Sequence, residues 1–187
     1  MKKTFSLFII LPILILSCKK ENTVEIGTVT ERTPEELASF VEYAAEFRFN
    51  SIQGESVSLS DLKGKYLYVD VWATWCRPCL QQLPAMKELE EKFRDTNIEF
   101  VSISVDRERD KEKWRKMVSD QQMRGVQLYA GTQTSFHQDY QVSTIPKFLI
   151  IGKDGEIIDK NAPRPMDHRT GGINQELVSV FEDLLKN

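Results

Sequence analysis

The stretch VDVWATWCRPCLQQLP, Val69 to Pro84, sets two thiols three positions apart directly behind an apolar run. From Tyr66 to Trp72 the residues are aromatic, aliphatic or β-branched, the pattern of a buried strand, and Asp70 alone interrupts it. After the second cysteine, Leu80, Leu83, Met86, Leu89 and Phe93 recur at helical spacing, with Lys87, Glu88, Glu90, Glu91 and Lys92 on the opposite face. That spacing predicts an amphipathic helix over about 77 to 94. Ile98 to Val105 reads as the next strand, so Cys76 and Cys79 join a strand to a helix inside a βαβ unit. Such a crossover makes its two strands parallel and its connection right-handed.

The flanks extend this pattern. Thr33-Pro34-Glu35-Glu36 has a capping residue, a proline for the first helical position and two acids for the positive end of the dipole, which predicts a helix at about 34 to 45. Phe47 to Asn50 and Ser56 to Leu59 alternate around Gly54 as a hairpin, and Ser60-Asp61-Leu62 reads as a helical turn leading to Gly64. Asp106 to Met123 is charged and helical, with Trp114, Met117 and Val118 as its inner stripe and the rest a solvated face. Gln127 to Ala130 is a short strand and Ser135 to Tyr140 a short helix. Phe148 to Ile151 and Glu156 to Asp159 pair across the tight turn Gly152-Lys153-Asp154-Gly155. A rigid loop, Asn161 to Pro165, precedes a closing helix from Gln175 to Lys186.

At 187 residues, 41% of them hydrophobic and 28% charged, the chain has the composition of one packed domain. Its front differs from the rest. Lys2 and Lys3 give a positive start, Phe5 to Leu16 an apolar stretch, and Ser17 and Cys18 close it, the layout of a secretory signal too short to span a bilayer comfortably. Residues 1–17 are expected to be removed and 18–33 to form a polar tether ahead of a domain over 34–187. Removal takes away two lysines and no acid, moving the formal charge from -3 to -5, a balance that argues against nucleic acid as a partner. Beyond Cys18 only Cys76 and Cys79 remain, too few for a disulfide framework. A domain of about 140 ordered residues buries roughly two thirds of its unfolded surface and folds without a staple. The pair is free for chemistry.

In C-x-x-C at a helix start, positions i and i+3 share a face and can bridge without backbone movement. Cys76 is expected at the helix N-terminus, where unpaired amide N–H groups stabilise a thiolate, the form that attacks disulfides. Such settings lower a cysteine pKa from about 8.5 to roughly 3.5–7.5. Arg77 adds a positive charge, and Pro78 suits a first turn that has no use for its missing N–H. Cys79, one turn inside, is expected to stay a thiol until Cys76 is tied to a substrate. Asp70, six residues before Cys76, is placed to exchange the Cys79 proton through water, with burial raising its pKa into a useful range. The exchange needs no cofactor.

Trp75-Cys76-Arg77-Pro78-Cys79, preceded by Val69-Asp70-Val71-Trp72-Ala73 and followed by Pro84, resembles the active site of the thioredoxin superfamily. The stretch VSLSDLKGKYLYVDVWATWC is similar to the entry of its membrane-tethered TlpA/ResA-like branch, and Thr144-Ile145-Pro146-Lys147-Phe148 resembles its cis-proline loop. The resemblance covers residues 47–186. It implies an α/β thioredoxin-like fold, a central mixed sheet flanked by helices with an N-terminal hairpin extension, and a thiol-disulfide oxidoreductase. The X-Pro bond is the one where cis costs only about 0.5–1 kcal/mol. A proline facing the thiols leaves the Ile145 backbone free to pair with an extended substrate, so Ile145 and Pro146, with Trp75 at the rim, are assigned to substrate binding. Extracytoplasmic members often carry Glu where Gln82 stands, and Asp70 matches the buried acid of thioredoxin, so proton handling is assigned to Asp70. Pro78 and that acid resemble reducing members. The implied partners are a disulfide-containing protein substrate and a membrane thiol electron donor. Separately, Ile15-Leu16-Ser17-Cys18 resembles the lipobox of bacterial lipoproteins, with Leu16 where a smaller residue is usual, which implies a lipid anchor on Cys18.

Rival readings of the pair are weaker. Zinc would need further ligands, and Leu80 to Asn187 holds no cysteine while His137 and His168 lie far apart. Haem attachment would need His at position 80. A peroxidatic cysteine belongs to a Pro-x-x-x-Thr-x-x-Cys run that is absent before Cys76. A static disulfide closing so short a loop stabilises little. The remaining alternative is a lipid-anchored binding protein whose thiols are structural or vestigial.

Overall fold

The computed structural model describes residues 41–186. The signal segment, the tether with Cys18 and residues 34–40 of the expected first helix lie outside the described residues.

Every residue of β3 (Tyr66–Trp72) is buried, because its alternating side chains meet a covered face on either side. Leu67, Val69 and Val71 join one apolar cluster with Trp114, Val118 and Phe136. Tyr66 and Tyr68 join another with Met86, Leu89 and Phe181. Around β3 are β1 (Arg48–Ser51), β2 (Ser56–Ser58), β4 (Ile98–Ser104), β5 (Val126–Tyr129), β6 (Lys147–Ile151) and β7 (Ile157–Asp159). They form one sheet in the order β2-β1-β5-β4-β3-β6-β7. The β3, β4 and β5 strands run parallel, and β6 lies antiparallel against β3. The β1–β2 hairpin extends the far edge through β5. The chain therefore has the mixed α/β sheet expected of a thioredoxin-like fold.

Among the described residues five α-helices cover the sheet: α1 (Arg77–Leu80), α2 (Leu83–Lys92), α3 (Lys111–Asp120), α4 (Thr134–Asp139) and α5 (Gln175–Leu184). Residues of α2 and α5 contribute to the cluster around Tyr68, where the Phe181 ring meets Tyr68, Phe93 and Phe100 edge-on at 5.3, 5.1 and 5.9 Å. Each such contact adds about 0.5–1.5 kcal/mol beyond burial. The α3 and α4 helices supply Trp114, Val118 and Phe136 to the opposite cluster.

Three expectations need correction. Residues 41–45 are not helical: Tyr43 bridges Glu156, with Ala44 N–H donating to Gly155 O at 2.8 Å and Ile157 N–H to Glu42 O at 2.7 Å. Edge groups beside β7 need partners, and this extended segment supplies them at the expense of local helical preference. The helix over 77–94 is interrupted at Gln81–Gln82, because Pro84 has no N–H to offer the Leu80 carbonyl. Glu90, placed on the solvent face by the periodicity, is buried at 8% exposure, one helical turn beyond buried Met86.

Candidate active site

Cys76 is the N-cap of α1, in extended conformation at φ -84° and ψ 91°, and its sulfur accepts the Cys79 N–H at 3.3 Å. The cap is possible because Pro78 occupies the first turn without wasting a donor. The sulfurs form a disulfide, with Cα atoms 5.3 Å apart. Exposures of 3% for Cys76 and 4% for Cys79 show that burial does not distinguish the two. The directed N–H does, since among the described residues it reaches Cys76 sulfur and no donor reaches that of Cys79. With α1 a single turn, stabilisation of a Cys76 anion comes from this local amide rather than from a long helix dipole.

The turn carrying the pair is pinned from the neighbouring strand. Thr74 N–H and hydroxyl both donate to the Asp106 carboxylate, which also accepts from the Ser104 hydroxyl at 2.9 Å. Cys76 N–H closes the turn onto Ala73 O at 3.0 Å. Trp75, between pinned Thr74 and Cys76, is pushed outward at 61% exposure.

Asp70 is 5% exposed and pairs in register with Ser102 and Phe148. Strand alternation sends it to the Tyr68 side of the sheet, the side that Met86 and Leu89 of α2 cover. Its Oδ1 has no hydrogen-bond partner. Burial, helped by the charge of Glu90, pushes its pKa up to about 8. Burial likewise raises Glu90 to about 7, against the lowering effects of Arg124 and Lys87. Two buried carboxyls that resist ionisation therefore lie close enough to act on one another, and no hydrogen bond ties either to a sulfur.

The Ile145–Pro146 bond is cis. Neither the N–H nor the carbonyl of Ile145 makes a hydrogen bond among the described residues, so both stay available for an incoming strand. Ile145 and Trp75 line one cleft of about 660 Å³. Pro146 lines a second, of about 640 Å³, on the other side of the loop. The structure thus gathers Trp75, Cys76, Cys79, Ile145 and Pro146 at one face, with Asp70 buried in the strand that leads to it; Cys18 lies outside the described residues.

The model for the AhpC/TSA family matches residues 21–160. The chain belongs to the AhpC/TSA family. This AhpC/TSA-family chain is 28% identical over 160 residues to the thiol-disulfide oxidoreductase ResA of Bacillus cereus, covering 86% of this chain and 89% of that one. A solution structure described as a thiol-disulfide oxidoreductase from Bacteroides vulgatus is 45% identical, with a TM-score of 0.63 over 75% of this chain and 90% of the other. A crystal structure of the same description and organism is 30% identical, with a TM-score of 0.62 over 74% and 94%. Within the thioredoxin superfamily this AhpC/TSA member is TlpA/ResA-like, a redox enzyme of the thiol-disulfide oxidoreductase kind.

Sequence reasoning missed two supports of the AhpC/TSA-family site. Asp106 was read as the start of a solvated helix, but the helix begins at Lys111 and Asp106 is wholly buried. Gln82, which the sequence marks only as standing where relatives often carry Glu, is 2% exposed, and its Oε1 accepts the Met166 N–H at 3.1 Å. That bond, with Tyr68 hydroxyl donating to Pro163 O at 2.7 Å, fixes the loop after β7 beside the cis proline. A lone buried polar residue leaves no periodic signal; only distant partners, Thr74 for Asp106 and Met166 for Gln82, identify these two.

Proposed function

We propose that this protein is an extracytoplasmic, lipid-anchored reductant of protein disulfides. In the reduced enzyme the Cys76 thiolate attacks a substrate disulfide, forming a mixed disulfide and expelling one substrate thiolate, which takes up a proton. Cys79 then loses its proton and attacks the Cys76 sulfur, releasing the second substrate thiolate. Two electrons pass to the substrate, and the enzyme is left with the Cys76–Cys79 disulfide. A dithiol donor must reduce it again, and outside the cytoplasm that donor is a membrane thiol carrier.

The observation that carries this reading is the Cys79 amide aimed at the Cys76 sulfur, next to a cis-proline loop with unused backbone groups. The amide gives Cys76 the role of nucleophile, and Ile145 holds the substrate strand in line with it. The ionised form of Asp70, made a stronger base than an ordinary carboxylate by a pKa raised to about 8, takes the Cys79 proton through water as the mixed disulfide resolves. Pro78 and this acid favour the reducing direction, within the roughly -270 to -120 mV span of CxxC proteins of this fold. The apolar stretch before Cys18 supports export and lipid attachment, with residues 18–33 as tether and 34–187 as the catalytic domain.

The test is turnover of a protein disulfide by the full-length chain with a dithiol donor. Catalysed reduction that disappears in Cys76→Ser is expected. Equal rates with and without the thiol would leave a binding protein with an inert bridge.

A further inference from the structure

Both clefts beside the cis-proline loop are lined by cations in a chain whose formal charge is -3. The cleft shared by Trp75 and Ile145 holds Arg107, Arg109 and Lys113, with Asp110 as its single acid. The cleft beside Pro146 adds Lys147 and Arg164 and no carboxylate. Arg109 pairs with Asp110 at 3.6 Å. No salt bridge ties the others to a carboxylate among the described residues, although the Asp159 charge acts on Lys147. Among the described residues Arg107 and Lys113 make no ion pair, Lys147 Nζ donates to Lys160 O at 3.0 Å and to Asn161 Oδ1 at 3.3 Å, and Arg164 Nη1 lies 3.4 Å from His168 Nε2. Elsewhere cations are commonly paired, as in Lys65–Glu99, Arg124–Glu91 and Lys116–Asp120.

Unpaired cations left at one face of an acidic protein are held in mutual repulsion, a cost that binding of an anion removes. Concave walls of one sign also focus the field and raise the local concentration of an oppositely charged partner. The clefts flank the loop whose Ile145 backbone is unused, so an extended segment pairing there would run with its side chains over both. The exposed Trp75 ring offers an apolar contact next to the sulfur. We propose that these clefts form a cationic docking surface for an acidic segment of the client protein, with Asp or Glu flanking the cysteine that meets Cys76. This rests on the exchange reading above and adds to it the chemistry of the client.

The test compares kcat/KM of the full-length protein on two disulfide-bonded peptides that differ only in carrying Asp and Glu, or Lys, around the cysteine. A small uncharged disulfide serves as the third substrate. The acidic peptide is expected to react about tenfold faster than the basic one at low salt, with the ratio falling as salt rises. In the double variant Arg107→Glu, Lys113→Glu the ratio should fall below one. A ratio is insensitive to any loss of folded protein. The same charge change at Lys63 and Lys153, with Lys153 in the turn beyond the far end of β6, should leave preference for the acidic peptide intact. Equal rates for the two peptides, or an unchanged ratio in the cleft variant, would overturn the inference while reduction of the uncharged disulfide upholds exchange. Failure to reduce even that disulfide would remove the exchange reading and the inference with it.

Discussion

Thr74 donates its backbone N–H to the Asp106 carboxylate at 3.0 Å and its hydroxyl at 2.8 Å, across 32 residues of chain. The acid stands just past β4 and the threonine just past β3, so adjacent parallel strands are locked together at the end that carries the redox turn. Removing the carboxylate leaves the Thr74 amide and the Ser104 hydroxyl buried without their acceptor. Asp106→Ala is therefore expected to destabilise the fold by about 2–4 kcal/mol. The urea midpoint checks it, and Asp106→Asn, which keeps one acceptor oxygen, should lose less.

Asp70 sets a pH dependence of stability. Its folded pKa, about 8, lies above its ordinary 3.8, so between those values the folded state holds a proton that the unfolded state has lost. Stability associated with this group is complete below about pH 4 and falls as pH rises through 8, on the order of a few kcal/mol. Glu90, raised to about 7, acts in the same direction. Unfolding of Asp70→Asn across pH 4 to 9 should show a flatter profile than wild type and greater relative stability at pH 9. Parallel profiles would assign the slope to other groups.

In the reduced protein, thiolate absorbance should show Cys76 ionising below about 7.5 and Cys79 later, because only Cys76 has an amide directed at its sulfur. Coincident titration near 8.5 would deprive Cys76 of its special role.

Replacing Cys79 with Ser removes the resolving thiol. Cys79→Ser should accumulate a covalent adduct through Cys76 that reducing agent releases, visible on non-reducing gels and identifiable by mass. Cys76→Ser should accumulate none.

Gly125 has φ +64°, and a Cβ there would stand 2.4 Å from the Phe100 carbonyl oxygen. Backbone cannot yield as a flexible side chain does, so Gly125→Ala should cost about 2 kcal/mol or more, by urea midpoint. It lies outside the site, so activity per folded molecule should stay near wild type.

Periodicity was sufficient wherever a segment's environment is uniform. β3 reads as buried from its own residues, and Pro78 between the cysteines marks a helix start because its ring dictates φ wherever it lies. Pro84 carried equal information, yet its interruption of the helix was overlooked. Glu90 and Asp106 were misplaced for a different reason. A lone acid inside a polar stretch has the same local statistics in solvent as in a buried niche, and the niche is built by other segments.

Sequence by itself determined the order of strands and helices, the spacing of the two thiols and the proline that faces them, because those depend on backbone sterics and on alternation a few residues long. Tertiary structure alone decided which sulfur receives an amide, that Asp70 and Glu90 are buried within reach of one another's charge, that Asp106 holds Thr74, and that cations from segments as far apart as Arg107 and Arg164 flank one loop. Those outcomes are sums over contacts between residues tens of positions apart, and electrostatic energy depends on distance through space rather than along the chain.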